Sequence, residues 1–372
     1  MKKNLFLLGT LLLGATMFVS CGSDGDDNPT PAPKPQTLEG TFFSVDGNSN
    51  FSNSGLPGAT TEATLGTVTM NTTATNGGMN IINVQAPQRM RQFHVGVQGV
   101  DGHITMDADQ FLATSDAKFR TLRTTEVEVY TYNIPVLYSN DLPHNNFNIM
   151  ICGETTDGGI TPAVTQAVTY LETLSGDLKV TLTFYAEKDV DLHVYTPQYD
   201  PERGSDYGHI YYGNPTGGFI PYEDKYDESD EPIYEPTGNP TQIVGLDVDS
   251  NAGCNIDHIK IENIFIPAAY LAAGEYTVVV DMYSNCSPWD TPTKWSCVAY
   301  YQGNLITPTF GENPVYGEYA ADAGTDDMTV VMKFNITDAQ ATKARGGAPL
   351  LTLPSVRPSF QARAKKLERD DF

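Results

Sequence analysis

Asp189-Val190-Asp191-Leu192-His193-Val194 sets the reading of this chain, together with Gly245-Leu246-Asp247-Val248-Asp249 downstream. Each stretch places two carboxylates at i and i+2 beside apolar residues, and in a strand those positions share a face. Two such pairs can converge on one hard cation. Asp189, Asp191, Asp247 and Asp249 are therefore candidate oxygen ligands for Ca²⁺, which takes six to eight oxygens at about 2.3–2.6 Å. The competing reading is that both pairs are solvated strand ends, where aspartate serves turns.

Outward from that stretch the text remains strand and turn. Leu178 to Phe184 alternates with period 2 and predicts a strand with one buried face. Ile256 to Ile264, Gly274 to Tyr283, Trp295 to Tyr301 and Met328 to Ile336 continue the pattern, so 174–338 reads as one β-sandwich. Upstream, Thr67 to Met70, Met79 to Val84, Phe93 to Val97 and Val127 to Ile134 predict a further set of strands across 38–173. Asn76-Gly77-Gly78 is a hairpin signal, because those residues tolerate positive φ. Gly (33), Pro (24) and Tyr (20) are frequent. The expected fold class is all-β, with two tandem β-sandwich domains.

Two resemblances add to this. Phe147 to Cys152, Thr156-Asp157-Gly158-Gly159 and Val164 to Tyr170 resemble the closing strands of immunoglobulin-like or fibronectin type III modules, which implies that fold for 38–173. Asp189 to Val194, Pro197, His209 to Asn214, Leu246 to Asp249, Ala273 and Gly274 to Tyr283 resemble a family of bacterial β-sandwich domains of unsettled function. Its pattern runs D-x-D-L-H-V-x-x-P, a tyrosine- or glycine-rich turn, G-x-L-D-x-D and A-G-x-Y-x-V. The first motif is also similar to the strand-end aspartates of the pre-peptidase C-terminal sandwich of secreted proteases. The chain departs from the pattern at Asn251-Ala252-Gly253-Cys254 and in a long insertion, Gly217 to Pro240. There Glu223, Asp224, Asp227, Glu228, Asp230, Glu231 and Glu235 alternate with Tyr222, Tyr226 and Tyr234, which predicts a protruding acidic loop, either ligand-free or a contact surface.

The N-terminus bears on the compartment. Lys2 and Lys3 precede an apolar run, Leu5 to Leu13, that is too short for a permanent membrane span. Phe18-Val19-Ser20-Cys21-Gly22 resembles a lipobox, which implies cleavage after Ser20 and diacylglyceryl attachment to Cys21. Phe18 stands where that pattern prefers Leu, Val or Ile. Ser23-Asp24-Gly25-Asp26-Asp27 resembles the acidic tract of lipoproteins sent to the outer face of the outer membrane. Residues 21–37 then read as a proline-rich stalk, and 339–372 as a basic, disordered tail. The expected location is the outer membrane, lipid-anchored and facing the exterior.

Asp and Glu number 46 against 22 Lys and Arg, a net charge of −24. Such a surface repels nucleic-acid phosphates and attracts cations. Besides Cys21 there are Cys152, Cys254, Cys286 and Cys297. Export allows disulfides, and of the three possible pairings Cys286–Cys297, flanking a Pro/Trp turn, is the expected one. No C-x-x-C pair suggests structural zinc.

No H-E-x-x-H, G-x-S-x-G or phosphate-cradling glycine loop occurs, so the expectation is a protein that is not an enzyme. Trp289 and Trp295, with Tyr211 and Tyr212, are candidate ligand contacts, since exposed rings can stack on a sugar; the alternative places both tryptophans in the core. The expected function is a non-catalytic binding or adhesion module for a surface glycan or protein. The alternatives are a hydrolase accessory protein and a purely structural envelope lipoprotein.

Overall fold

The structure is a computed structural model that describes residues 38–113, 129–201, 206–226, 232–236, 243–324, 327–338 and 340–341. The expected leader, the lipid-bearing Cys21, the 21–37 stalk and the basic tail from 342 onward lie outside the described residues.

The chain is all-β, as the alternation predicts. The first ten strands are β1 (Phe43–Val45), β2 (Ser49–Ser52), β3 (Thr67–Thr69), β4 (Thr73–Ala74), β5 (Met79–Ala86), β6 (Met90–Val97), β7 (His103–Asp107), β8 (Tyr130–Tyr138), β9 (Phe147–Thr155) and β10 (Val164–Tyr170). They form a four-stranded sheet, β1-β8-β5-β3, and a six-stranded sheet, β2-β7-β6-β9-β10-β4. Ile82, Val84 and Tyr132 from one sheet meet Phe93, Val95 and Ile151 from the other in one core.

The remaining strands are β11 (Leu178–Phe184), β12 (Asp189–Tyr195), β13 (His209–Ile210), β14 (Tyr222–Tyr226), β15 (Pro232–Pro236), β16 (Gly245–Val248), β17 (Ile261–Ile266), β18 (Gly274–Ser284), β19 (Thr293–Tyr301), β20 (Asn304–Leu305), β21 (Phe310–Gly311), β22 (Val315–Tyr319) and β23 (Asp327–Ile336). One sheet runs β16-β17-β11-β19-β20, with β22 also on β19, and the other β13-β12-β18-β23-β21. Between them lies a second core built from Leu182, Phe184, Leu192, Val194, Val278, Val280 and Trp295.

The sequence predicts one buried face for β11, yet all seven of its residues are buried. Leu178, Val180, Leu182 and Phe184 fill the second core, while the opposite face is covered by the first sandwich. Lys179 Nζ donates to Asn76 O at 2.7 Å and Thr173 Oγ1 at 2.8 Å. Beside it Val298 and Tyr300 of β19 pack on Met79 and Leu137. A buried ammonium is tolerated because it is hydrogen-bonded, and burial still pushes Lys179 down to about 8.

Among the described residues of the acidic insertion, β14 pairs antiparallel with β15, with Glu223 opposite Glu235. Where a loop is expected, Tyr222–Tyr226 and Pro232–Pro236 are paired strands.

Candidate cation site

β12 is buried on both faces. Val190, Leu192 and Val194 point into the second core, which leaves Asp189, Asp191 and His193 to the other side of the strand. In the ladder with β18, Asp191 stands opposite Asp281, and the register shifts between Asp189 and Asp191. Opposed residues of an antiparallel pair share a face, so Asp191 and Asp281 are neighbours. Glu262 reaches the same place from the other sheet: β17 sets it beside Leu182, among core-facing residues. Its Oε2 accepts from the backbone N–H of Leu192 at 2.5 Å. Asp249 arrives just beyond the end of β16 and completes a group in which Asp191, Asp249 and Glu262 each bring an oxygen within 4.8 Å of the others.

The site therefore gathers five carboxylates: Asp189, Asp191, Asp249, Glu262 and Asp281. Asp189, Asp191, Glu262 and Asp281 are each no more than 3% exposed. Asp189 Oδ2 accepts from Gly253 N at 2.9 Å. Asp189 Oδ1, Asp191 Oδ2 and Glu262 Oε1 are buried with no hydrogen-bond donor. Buried polar atoms are nearly always satisfied, so three such oxygens together call either for protons shared between the carboxyls, as between Asp189 and Asp191, or for a cation. Burial, then the charge of Asp249, pushes Asp189 up to about 7. Burial followed by Asp189, Asp249 and Asp281 drives Asp191 well above the usual carboxylate range. Glu262 moves the same way, by burial and then the charges of Asp191, Asp249 and Asp189. Lys188, adjacent in sequence, directs its ammonium elsewhere, to Asn285 Oδ1, Cys286 O and Pro288 O.

Compared with models of protein families and with curated proteins, this chain matches none.

Of the four aspartates expected as ligands, three are brought together and Asp247 is not. The ladder between β16 and β17 shifts between Leu246 and Val248, so the i, i+2 rule fails there. Asp247 faces the other side of its sheet, where its oxygens accept from Leu174 N at 2.5 Å and Asn263 Nδ2 at 2.6 Å. Those bonds and the nearby Lys179 oppose the upward push of burial on its carboxyl.

The expected Cys286–Cys297 pairing is replaced by Cys254–Cys286. Cys297 lies opposite Leu182 and is fully buried in the core, out of reach of the turn. Cys152 and Cys297 are both free and buried. The observed bridge ties the loop that presents Gly253 N–H to the end of β18, the strand that carries Asp281.

The two tryptophans separate. Trp295 is 5% exposed and belongs to the core, which corrects its expected ligand role, whereas Trp289 is 71% exposed. Trp289 follows Pro288, whose carbonyl is held by Lys188 next to Asp189. Tyr211 and Tyr212 are half-buried and border the acidic site rather than forming an open platform. Tyr211 stacks on His209 at 4.0 Å, Tyr212 packs on Tyr283 at 4.8 Å, and the charge of Asp191 reaches the Tyr212 hydroxyl.

Glu262 and Asp281 are site residues that the spacing argument missed. Their signal is present in the sequence: each is a single acid inside an apolar strand, Ile261-Glu262-Asn263-Ile264 and Val279-Val280-Asp281-Met282. A charge at such a position is costly unless compensated.

Proposed function

We propose that this chain is an exported, lipid-anchored protein of the cell envelope whose second sandwich is a calcium-dependent, non-catalytic binding module. One observation carries the reading: buried carboxylates from both sheets meet around oxygens that lack donors. The unfavourable proximity of these groups is relieved by a divalent ion, and an all-oxygen set suits Ca²⁺. Asp189, Asp191, Asp249 and Glu262 would supply its ligands. The ion then locks the two sheets together at the edge where the loop bearing Trp289 leaves β18. That exposed indole supports a contact with a glycan or protein ligand, because an isolated large ring in water is the residue type that binding surfaces favour. Attachment through Cys21 places the module at the membrane surface, and the acidic tract after it supports the outer face.

Calorimetric titration of Ca²⁺ into chelated full-length protein in detergent tests the reading. The expected result is saturable binding of about one equivalent that Glu262→Gln abolishes. Absence of heat and of any shift in melting would remove the calcium-dependent part. Labelled palmitate on the wild type but not on Cys21→Ser is the expected sign of the anchor; no label on either contradicts it.

A further inference from the structure

We propose that the acidic pocket holds a second cation position beside the first, formed by His193, Asp191 and Asp281 and suited to a borderline divalent ion such as Zn²⁺ or Mn²⁺. One ligand atom from each of these residues lies within 4.8 Å of the other two, and all three residues are buried. Their placement follows from the ladder: Asp191 and His193 are i and i+2 on β12, and Asp281 is opposite Asp191 on β18.

His193 Nε2 points to the ligand. It is buried without a hydrogen-bond partner, and Asp281 Oδ2 lies 3.8 Å away, too far for a hydrogen bond. The other ring nitrogen is engaged, because His193 Nδ1 lies 3.0 Å from His209 Nε2. In the tautomer whose Nδ1 donates to His209, Nε2 turns a lone pair toward the carboxylates, and a cation between them would take that lone pair and the carboxylate oxygens as ligands.

His209 is itself held rigidly. It stacks between Tyr195 at 3.9 Å and Tyr211 at 4.0 Å, both nearly parallel to it. A ligating imidazole whose second nitrogen is fixed by an oriented partner is the usual outer-shell arrangement of a metal site. The donor set sorts the two positions by chemistry. Imidazole with carboxylates suits Zn²⁺ and Mn²⁺, while the all-oxygen set of Asp191, Asp249 and Glu262 suits Ca²⁺. Asp191 belongs to both groups and would bridge the ions, as carboxylates do in paired-metal sites about 3.5–4 Å apart. Charge favours the pair as well: one divalent ion leaves most of the five carboxylates uncompensated, and two nearly neutralise them.

The test uses full-length protein in detergent, chelated and then loaded with Ca²⁺ followed by one equivalent of Cu²⁺ as a spectroscopic probe, with Zn²⁺ as competitor. Electron paramagnetic resonance is expected to show coupling to imidazole nitrogen, and Zn²⁺ should displace the signal. His193→Gln should remove the nitrogen coupling and weaken Zn²⁺ binding at least tenfold while leaving Ca²⁺ binding in place. Glu262→Gln should do the reverse, so failure of the calcium reading and failure of this one give different patterns. No nitrogen coupling in the wild type, or coupling that persists in His193→Gln, overturns the proposal; the latter would mean copper on exposed His258 or another surface histidine. Because the wild-type spectrum alone can refute it, the test stands even if a variant fails to fold.

Discussion

Raising the pH of the chelated protein from about 5 to about 7.5 should destabilise it, and calcium should cancel the loss. The Asp189 carboxyl is pushed up from 3.8 to about 7 in the folded chain. Between those values the folded state keeps a proton that the unfolded chain has released. Stability therefore falls as pH rises across that window, since the native state binds more protons there. The stabilisation is full below the unfolded value and gone above about 7. Starting from about pH 5, roughly two pH units of that window are crossed, so at about 1.36 kcal/mol per unit Asp189 alone accounts for on the order of 3 kcal/mol. Asp191 and Glu262 move in the same direction. For a fold of this size about 1 kcal/mol shifts Tm by roughly 2–4 °C, so the drop is on the order of 10 °C. Differential scanning calorimetry with chelator and with millimolar Ca²⁺ at both pH values measures it. The calcium-induced rise should be large at the higher pH and small at the lower, where protons already neutralise the pocket. A Tm that stays level or climbs with pH in chelator, with no calcium effect at either pH, refutes the reasoning.

Further expectations concern the cysteines and tryptophans. Breaking Cys254–Cys286, which are 32 residues apart, by Cys254→Ser with Cys286→Ser should cost about 3–4 kcal/mol on loop-closure grounds; it should also weaken calcium binding, because the Gly253 loop is released, and calorimetry reads both. Burial raises the free Cys152 and Cys297 thiols to about 11 and about 12, so alkylation followed by mass spectrometry should find two thiols that react only after denaturation. Trp295→Ala should lower stability by about 3–5 kcal/mol as a core truncation. Trp289→Ala should leave stability within about 0.5 kcal/mol while reducing Ca²⁺-dependent capture on a glycan or protein array; equal loss of stability in both variants would contradict the assignment of one indole to the core and the other to the surface.

The strands were legible because each core face repeats with period 2, as in Leu178 to Phe184 and Gly274 to Tyr283. Covering of β11 on its second face was not, since Lys179, Thr181 and Thr183 read as solvent-facing until the first sandwich packs on them. Within the site, Asp189 and Asp191 follow from strand periodicity despite a shift in the ladder. Asp247 misleads because a register shift turns it to the opposite face, and local spacing carries no mark of that. Glu262 and Asp281 depend on which strands face each other across the core, information that no single segment holds. The disulfide is hidden for the same reason: Cys254 and Cys286 are distant in sequence, and closeness along the chain favoured the wrong partner.

Anomalous diffraction from crystals grown with calcium, then with manganese, tests the central claim most directly. The account predicts a calcium peak within bonding distance of Asp191, Asp249 and Glu262, at about 2.3–2.6 Å from their oxygens. An empty pocket at saturating calcium and neutral pH, with its carboxyls paired to one another through shared protons, would contradict it.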